Sequence, residues 1–330
     1  MFKLASNIVI KNKDGNKNAS FDYVAEVDIE TKIETLTDTA TVKFPKKLAW
    51  KGIQIGEYIQ RGDEISIDLG YNDQTETVFT GFVAKVKSGI PLELQCEDQM
   101  WQLKQIKLPT KHYPTLTLKK LLDTYLPSSI KYKAADVNLG EFRISNEPSL
   151  AKVLDYIKDN YVLNFFFRDG IFYGVLPTTL EGSDNGFKTY TFKIQQNVIP
   201  GDSLEYTLAD DIKIMIKAKT VLKDNTKIEV QEPSGDADGE IRTFYCDTAT
   251  TEADLKKFAQ EKLRSFKVNQ MSGSFTAFGL PFIKKGDFAK LLDDKNPERN
   301  KKTFMAKSVH YTFGHGGFRQ QIELGAQIGG

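Results

Sequence analysis

Residues 62–101 read GDEISIDLGYNDQTETVFTGFVAKVKSGIPLELQCEDQMW. Three runs inside this stretch alternate apolar with polar residues: Ile65 to Tyr71, Thr77 to Val86, and Leu92 to Glu97. A period of two marks a strand with one buried face. The breaks carry Asn72-Asp73-Gln74 and Ser88-Gly89, residue types that suit tight connections. The stretch is therefore expected to form an antiparallel meander whose sheet curls into a small barrel.

Working outward, Asn7 to Ile10 reads as a first strand, ended by Asp14-Gly15-Asn16. Tyr23 to Ile29 and Thr39 to Phe44 alternate again, the second stopped by Pro45. After Trp101 the pattern changes. Leu118, Leu121, Leu122 and Leu126 have helical spacing before Pro127, and Leu150, Val153, Leu154, Ile157 and Tyr161 form a second helical face. Residues 145–149 supply its caps and a first-turn Pro. Asp169-Gly170 between two aromatic runs signals a hairpin.

From residue 202 strands return at Ile212 to Ala218, Lys227 to Val230 and Ile241 to Cys246. A helix is expected from Thr250-Thr251-Glu252, and further strands follow it. The expected fold is mainly β with an α+β insertion: two small related antiparallel barrels enclosing a helix-plus-hairpin domain. The boundaries are 1–106 for the first barrel, 107–200 for the helix-plus-hairpin domain, and 201–330 for the second barrel. The last carries an inserted loop and helix at about 231–268.

The two ends echo each other. Thr39 to Pro45 is followed by Gly62-Asp63, a strand, a polar hairpin and Phe79 to Val86. Gly273 to Pro281 is followed by Gly286-Asp287, a strand, the polar hairpin 293–302 and Phe304 to Tyr311. Gly62, Asp63, Gly286 and Asp287 are the markers of this repeat, each Gly-Asp standing where the backbone must turn tightly. Three copies of a doubled unit around an axis present six similar units. Such an object suits a place where a sixfold tube meets a threefold partner.

These residues resemble those of phage tail and baseplate hub proteins, the group of the late control protein D family and the hub part of VgrG. The likeness rests on the Thr39 to Pro45 strand with Gly62-Asp63-Glu64-Ile65 and Phe79-Thr80-Gly81-Phe82-Val83. It rests also on Leu92 to Trp101, on Ser149-Leu150 to Leu176, and on the late Gly286-Asp287 unit. The resemblance implies a homotrimeric ring joining a tail tube to a trimeric spike, with DNA or effector in transit through its channel. It places the protein in a virion tail or baseplate assembled in the bacterial cytoplasm, without membrane insertion. In VgrG the hub runs on into a spike, so here the spike is expected to be a separate polypeptide.

Composition fits a soluble globular protein: 40% hydrophobic, 27% charged, and a formal net charge of +1 that supplies no global basic field for nucleic acid. Aromatics reach 11%, which favours strands and large buried surfaces. Cys96 and Cys246 lie in strand-like runs and are expected to be buried thiols. No basic segment followed by a long apolar core opens the chain. The apolar run Val162 to Phe167 stops at Arg168, far short of the ~18 residues of a membrane span.

No catalytic, cofactor or metal site is expected, and the protein is read as a non-enzyme. His310 and His315 have no Cys or carboxylate beside them at ligand spacing. Gly314-His315-Gly316-Gly317 lacks the Lys-Ser/Thr of a phosphate loop and reads as a turn. Glu97 and Asp98, neighbours leaving a strand, point to opposite sides, which suits surface charge or a helix cap better than paired acid–base work. The lysine pairs 46–47, 119–120, 256–257 and 284–285 are read as solvated. Two rival readings stay open: a carbohydrate- or peptide-binding β module, and a hydrolase on a β scaffold.

Overall fold

A computed structural model describes residues 3–13, 18–45, 49–50, 53–54, 58–87, 89–176, 186–194, 196–199, 201, 203–222, 226–233, 239–246, 248–294, 300 and 302–328. The turn expected at 14–16, part of the loop expected from about 231 and most of the polar hairpin 293–302 fall outside these residues.

The opening stretch folds as its alternation requires. The first β unit comprises Leu4–Lys11 (β1), Asn18–Phe21 (β2), Glu26–Lys32 (β3), Thr39–Phe44 (β4), the short pair Ala49–Trp50 (β5) and Ile53–Gln54 (β6), Glu64–Tyr71 (β7), Gln74–Lys87 (β8) and Leu92–Glu97 (β9). Their order side by side is β3-β4-β9-β8-β7-β1-β2, antiparallel throughout. Asn72 and Asp73 make the β7–β8 turn with φ of 51° and 64°, a left-handed pair that these short polar residues tolerate. The strand read from Tyr23 begins only at Glu26, and the Tyr23 ring is exposed.

A short helix, Met100–Gln105 (α1), follows β9 and has no periodic signal of its own in the sequence. Next come Lys111–Thr117 (β10), Leu118–Tyr125 (α2), Lys131–Ala134 (β11), Asn138–Ile144 (β12), Leu150–Tyr161 (α3), Asn164–Arg168 (β13) and Ile171–Val175 (β14). The Thr117 hydroxyl accepts from the Lys120 amide, and the Ser149 hydroxyl accepts from the Lys152 amide, so both helices start at their capping residue. Pro148 stands just before the Ser149 cap, not inside the first turn as the sequence reading had it. Asp169 and Gly170 turn β13 into β14 with φ of 50° and 74°. Leu121, Leu122, Leu154, Ile157, Phe165 and Phe172 share a separate core.

The remainder holds Thr189–Lys193 (β15), Glu205–Thr207 (β16), Ile214–Val221 (β17), Lys227–Pro233 (β18), Glu240–Tyr245 (β19), Glu252–Phe266 (α4), Gln270–Ser272 (β20), Ser274–Phe278 (β21), Phe288–Leu292 (β22), Thr303–Gly314 (β23) and Gly317–Ile328 (β24). Helix α4 opens on a reciprocal cap between Thr251 and Asp254. Strands β17, β18 and β19 form their own sheet, with Ile214, Ile216, Ala218, Leu255, Phe258 and Ala259 between that sheet and α4. The inserted material is thus wider than the expected 231–268, and β17 and β18 pair outside the second barrel. Alternation shows that a strand has one buried face; it does not say which sheet the strand joins.

The two β units are continuous. β23 pairs with β24 on one side and with β3 on the other, from Ser308↔Lys32 to Gly314↔Glu26. This seam makes one 14-stranded sheet over a single core that runs from Ile8 to Leu324. Among the described residues no helix is long and apolar enough to cross a membrane.

Candidate functional site

The two Gly-Asp markers have the same local geometry. The Gly62 amide donates to the Val83 carbonyl at 2.8 Å, and the Val83 amide to the Asp63 carbonyl at 2.9 Å. In the second unit the Gly286 amide donates to Ala306 at 2.7 Å, and the Ala306 amide to Asp287 at 2.7 Å. Each Asp carboxylate accepts from the amide three residues back, Gln60 at 2.8 Å and Lys284 at 2.9 Å. Each also accepts from an amide next to the neighbouring strand, Lys13 at 3.1 Å and Lys188 at 2.8 Å. Both carboxylates are buried. The glycines have φ of +94° and +85°, and a Cβ would press on Trp101 at 3.2 Å or on Phe187 at 3.1 Å. Gly62→Ala and Gly286→Ala are each expected to cost about 1–2 kcal/mol, through backbone strain and that contact. Urea unfolding of each variant reads the loss.

The pairing around the markers also corresponds. β4-β9-β8-β7 in the first unit has the same antiparallel order as β21-β24-β23-β22 in the second. The outer neighbours differ: β7 pairs antiparallel with β1, whereas β22 pairs parallel with β15.

A buried charged cluster lies where the two β units meet the helix-plus-hairpin part. The Lys285 ammonium is 2.7 Å from each oxygen of Asp38, with side chains 4% and 8% exposed. Lys285 was read as solvated; it is buried because its chain crosses the junction, with the ammonium 5.1 Å from the Phe166 ring centroid. Asp98 sits beside this pair. Its Oδ1 accepts from the Met100 amide at 3.0 Å, the cap expected of it, while its Oδ2 is buried with no partner. Burial, and the nearby Asp38 charge, push the Asp98 carboxyl up to about 8 against the pull of Lys285. Burial also raises Asp38 above the ordinary carboxylate range, again opposed by Lys285. Glu97, by contrast, is a surface group 2.7 Å from Lys104.

Arg168 adds the second tie. Its guanidinium donates to the Asp287 carboxylate and to the Lys285 carbonyl, both at 2.5 Å, and lies over the Phe187 ring. The tip of the β13–β14 hairpin is thereby clamped to the second marker. A cleft of about 350 Å³ opens here, lined by Thr31, Asp38, Asp98, Arg168, Lys285 and Tyr311 among others. Among the described residues that line it, none is a nucleophile with a neighbouring base. The sequence gives no sign that Asp38, Arg168 and Lys285 belong to this cluster, because nothing in their local spacing reports a contact across more than a hundred residues.

The outer face of the continuous sheet is polar across its six central strands. Thr39, Thr41 and Lys43 of β4 and Glu93, Gln95 and Glu97 of β9 point away from the core. So do Glu26, Asp28, Glu30 and Lys32 of β3, Ser308, His310 and Thr312 of β23, Arg319, Gln321 and Glu323 of β24, and Ser274 and Thr276 of β21. Six carboxylates stand on this face, met by Lys32, Lys43, Lys87, Lys104, Lys307 and Arg319, so its charge is mixed and among the described residues no basic stripe forms to grip a polyanion. Phe278 is its one outward aromatic among the described residues of these strands.

The histidines are dispersed. His112 is exposed and 3.0 Å from Glu141, and His315 is exposed in the two-residue turn between β23 and β24, as expected of Gly314 to Gly317. His310 lies on the outer face, 2.9 Å from Asp28. Cys96 and Cys246 are buried thiols in separate cores, and burial raises the Cys96 thiol.

No family model and no curated protein matches this sequence. Solved structures do match. A tail protein from Neisseria meningitidis MC58 superimposes over 98% of this chain and 96% of its own, with a TM-score of 0.65 at 16% identity. The 43 kDa tail protein of prophage MuSo2 from Shewanella oneidensis covers 96% of this chain and 97% of its own, with a TM-score of 0.64 at 15% identity. The E. coli c3393 protein is described as a component of the type VI secretion system with structural similarity to T4 bacteriophage tail proteins gp27 and gp5. It covers 93% of this chain and 74% of its own, with a TM-score of 0.53 at 12% identity. The shared feature is the fold, and it spans nearly the whole of this chain.

Proposed function

We propose that this chain is a structural hub protein of a phage tail or a related injection machine. Three copies would form a pseudo-sixfold ring between a tail tube and a trimeric spike. The observation that carries this reading is the doubled strand pairing around Gly62-Asp63 and Gly286-Asp287, joined edge to edge by β3 and β23. The domains would divide near residues 106 and 200, with the α4 unit inserted in the second. The full-length likeness to tail proteins supports the class of machine.

The seam suggests how copies would join. Inside one chain, residues 308–314 of β23 pair with β3. The matching part of β8, residues 85–87, pairs only with β9 among the described strands. The segment that flanks β21 as β3 flanks β4 is residues 197–207, which bonds to Phe278, Thr276, Ser274 and β20. In the ring, β8 of one copy would meet 197–207 of the next and repeat the seam. The polar face would then line the channel, where a charge-mixed surface without a basic stripe lets cargo pass unbound.

Such an obligate ring buries on the order of 2,000 Å² or more at each joint. Native mass spectrometry and electron microscopy of the purified chain test it. A three-chain particle with a central hole is the expected result. A chain that stays monomeric at every concentration, with no ring in the images, overturns it and favours a binding module.

A further inference from the structure

We propose that Asp28, Glu30 and His310 form a site for a first-row divalent transition-metal cation of the zinc type, across the seam between the two β units. Two facts of strand geometry build it. Asp28 and Glu30 are two residues apart on β3, so both side chains leave the same outer face. The β3–β23 register sets His310 directly opposite Glu30 and one step diagonal from Asp28. One ligand atom from each residue lies within 4.8 Å of the other two.

The electrostatics of the face favour a cation at this point. On one side of the pair, Glu26 is held by Lys43 at 3.1 Å. On the other, Lys32 is turned to Glu34 and Glu323. The two carboxylates between these ion pairs face an imidazole in place of a lysine. Two carboxylates with a neutral imidazole carry two negative charges, which a divalent ion cancels.

The donor set selects the class of ion. An imidazole nitrogen with two carboxylates suits zinc and its neighbours, while calcium prefers six to eight oxygens. His310 Nε2 and Asp28 Oδ2 are 2.9 Å apart. Bonds of about 2.0–2.1 Å in a tetrahedral site put ligand atoms about 3.3 Å apart, so the ion can enter with a small opening of that contact. The exposed Glu30 side chain closes the remaining distance by changing rotamer, and solvent takes the fourth position.

The test uses tag-free full-length protein titrated with zinc chloride by calorimetry, with the stoichiometry read by native mass spectrometry. One zinc per chain is expected, together with a rise in melting temperature, because the ion links strands 280 positions apart in sequence. His310→Ala should abolish the site, and Asp28→Asn and Glu30→Gln should each weaken it at least about tenfold, or about 1.4 kcal/mol. Glu26→Gln, and His112→Ala combined with His315→Ala, should leave binding unchanged. Calcium at the same concentration should not bind. The three ligands are partly or fully exposed, so the variants are expected to fold, and circular dichroism checks this. Absence of stoichiometric binding, or wild-type affinity in His310→Ala, overturns the assignment. Neither outcome depends on whether the chain forms a ring.

Discussion

Lys285→Met is expected to cost about 3–5 kcal/mol at pH 7.5, because it leaves the Asp38 charge buried without its cation. The ammonium lies 2.7 Å from that carboxylate, and the buried Asp98 carboxyl feels both the Asp38 charge and the Lys285 charge. Without Lys285 two buried carboxyls that repel when both are charged are left in the junction. Their cheapest response is to bind protons, so the loss should shrink as pH is lowered to about 5. Adding Asp38→Asn to Lys285→Met removes the stranded charge and should recover most of the loss. A buried ion pair is worth little against a neutral replacement, but breaking one side of it is expensive. Calorimetric melting of the wild type, the single variant and the double variant at two pH values measures all of this. Equal melting of wild type and Lys285→Met at pH 7.5 would show that the junction is wet and weakly coupled.

The second large effect is the pH dependence carried by Asp98. Its carboxyl holds a proton up to about 8 in the folded chain and only to about 4 in the unfolded one. Below pH 4 both states are protonated, and the contribution of the neutral group is complete. Between pH 4 and 8 the unfolded chain has lost its proton while the folded chain keeps it. Stability therefore falls as pH rises, by up to about 1.4 kcal/mol per unit, and levels off above 8. Asp98→Asn keeps the acceptor for the Met100 amide and has no charge to bury. Its buried amide protons offset part of the gain, so the variant should be more stable than wild type by about 2–4 kcal/mol at pH 8. Near pH 4.5 the two should agree within about 1 kcal/mol. The difference between the two chains isolates this residue from groups with the opposite sign: against the effect of burial, Asp169 is held below the ordinary value by Lys284 and Arg168, and Glu323 by the Ser308 hydroxyl with Lys307 and Lys32. A difference that stays flat from pH 4.5 to 8 would show that Asp98 is ionised in the folded protein.

Much of the molecule can be read locally, and the reasons are local. Side chains on a strand alternate, so Ile65, Ile67 and Leu69 declare their buried face in the sequence itself. Ser149 and Thr251 declare two helix starts because a cap acts within three residues. Asp169-Gly170 declares a hairpin because few residues accept a left-handed backbone. Helix α1 escaped because its six residues are too short for a periodic pattern. The assignment of β17 and β18 escaped because alternation is silent about partners.

Strand faces and helix caps are legible in the sequence. Those features are set by backbone geometry within a few residues. It takes the folded chain to show that β3 meets β23, that Lys285 is buried against Asp38, that Arg168 clamps Asp287, and that His310 comes to Asp28 and Glu30. Each of these is a contact between groups more than a hundred residues apart, and its energy depends on burial and register that no local spacing encodes.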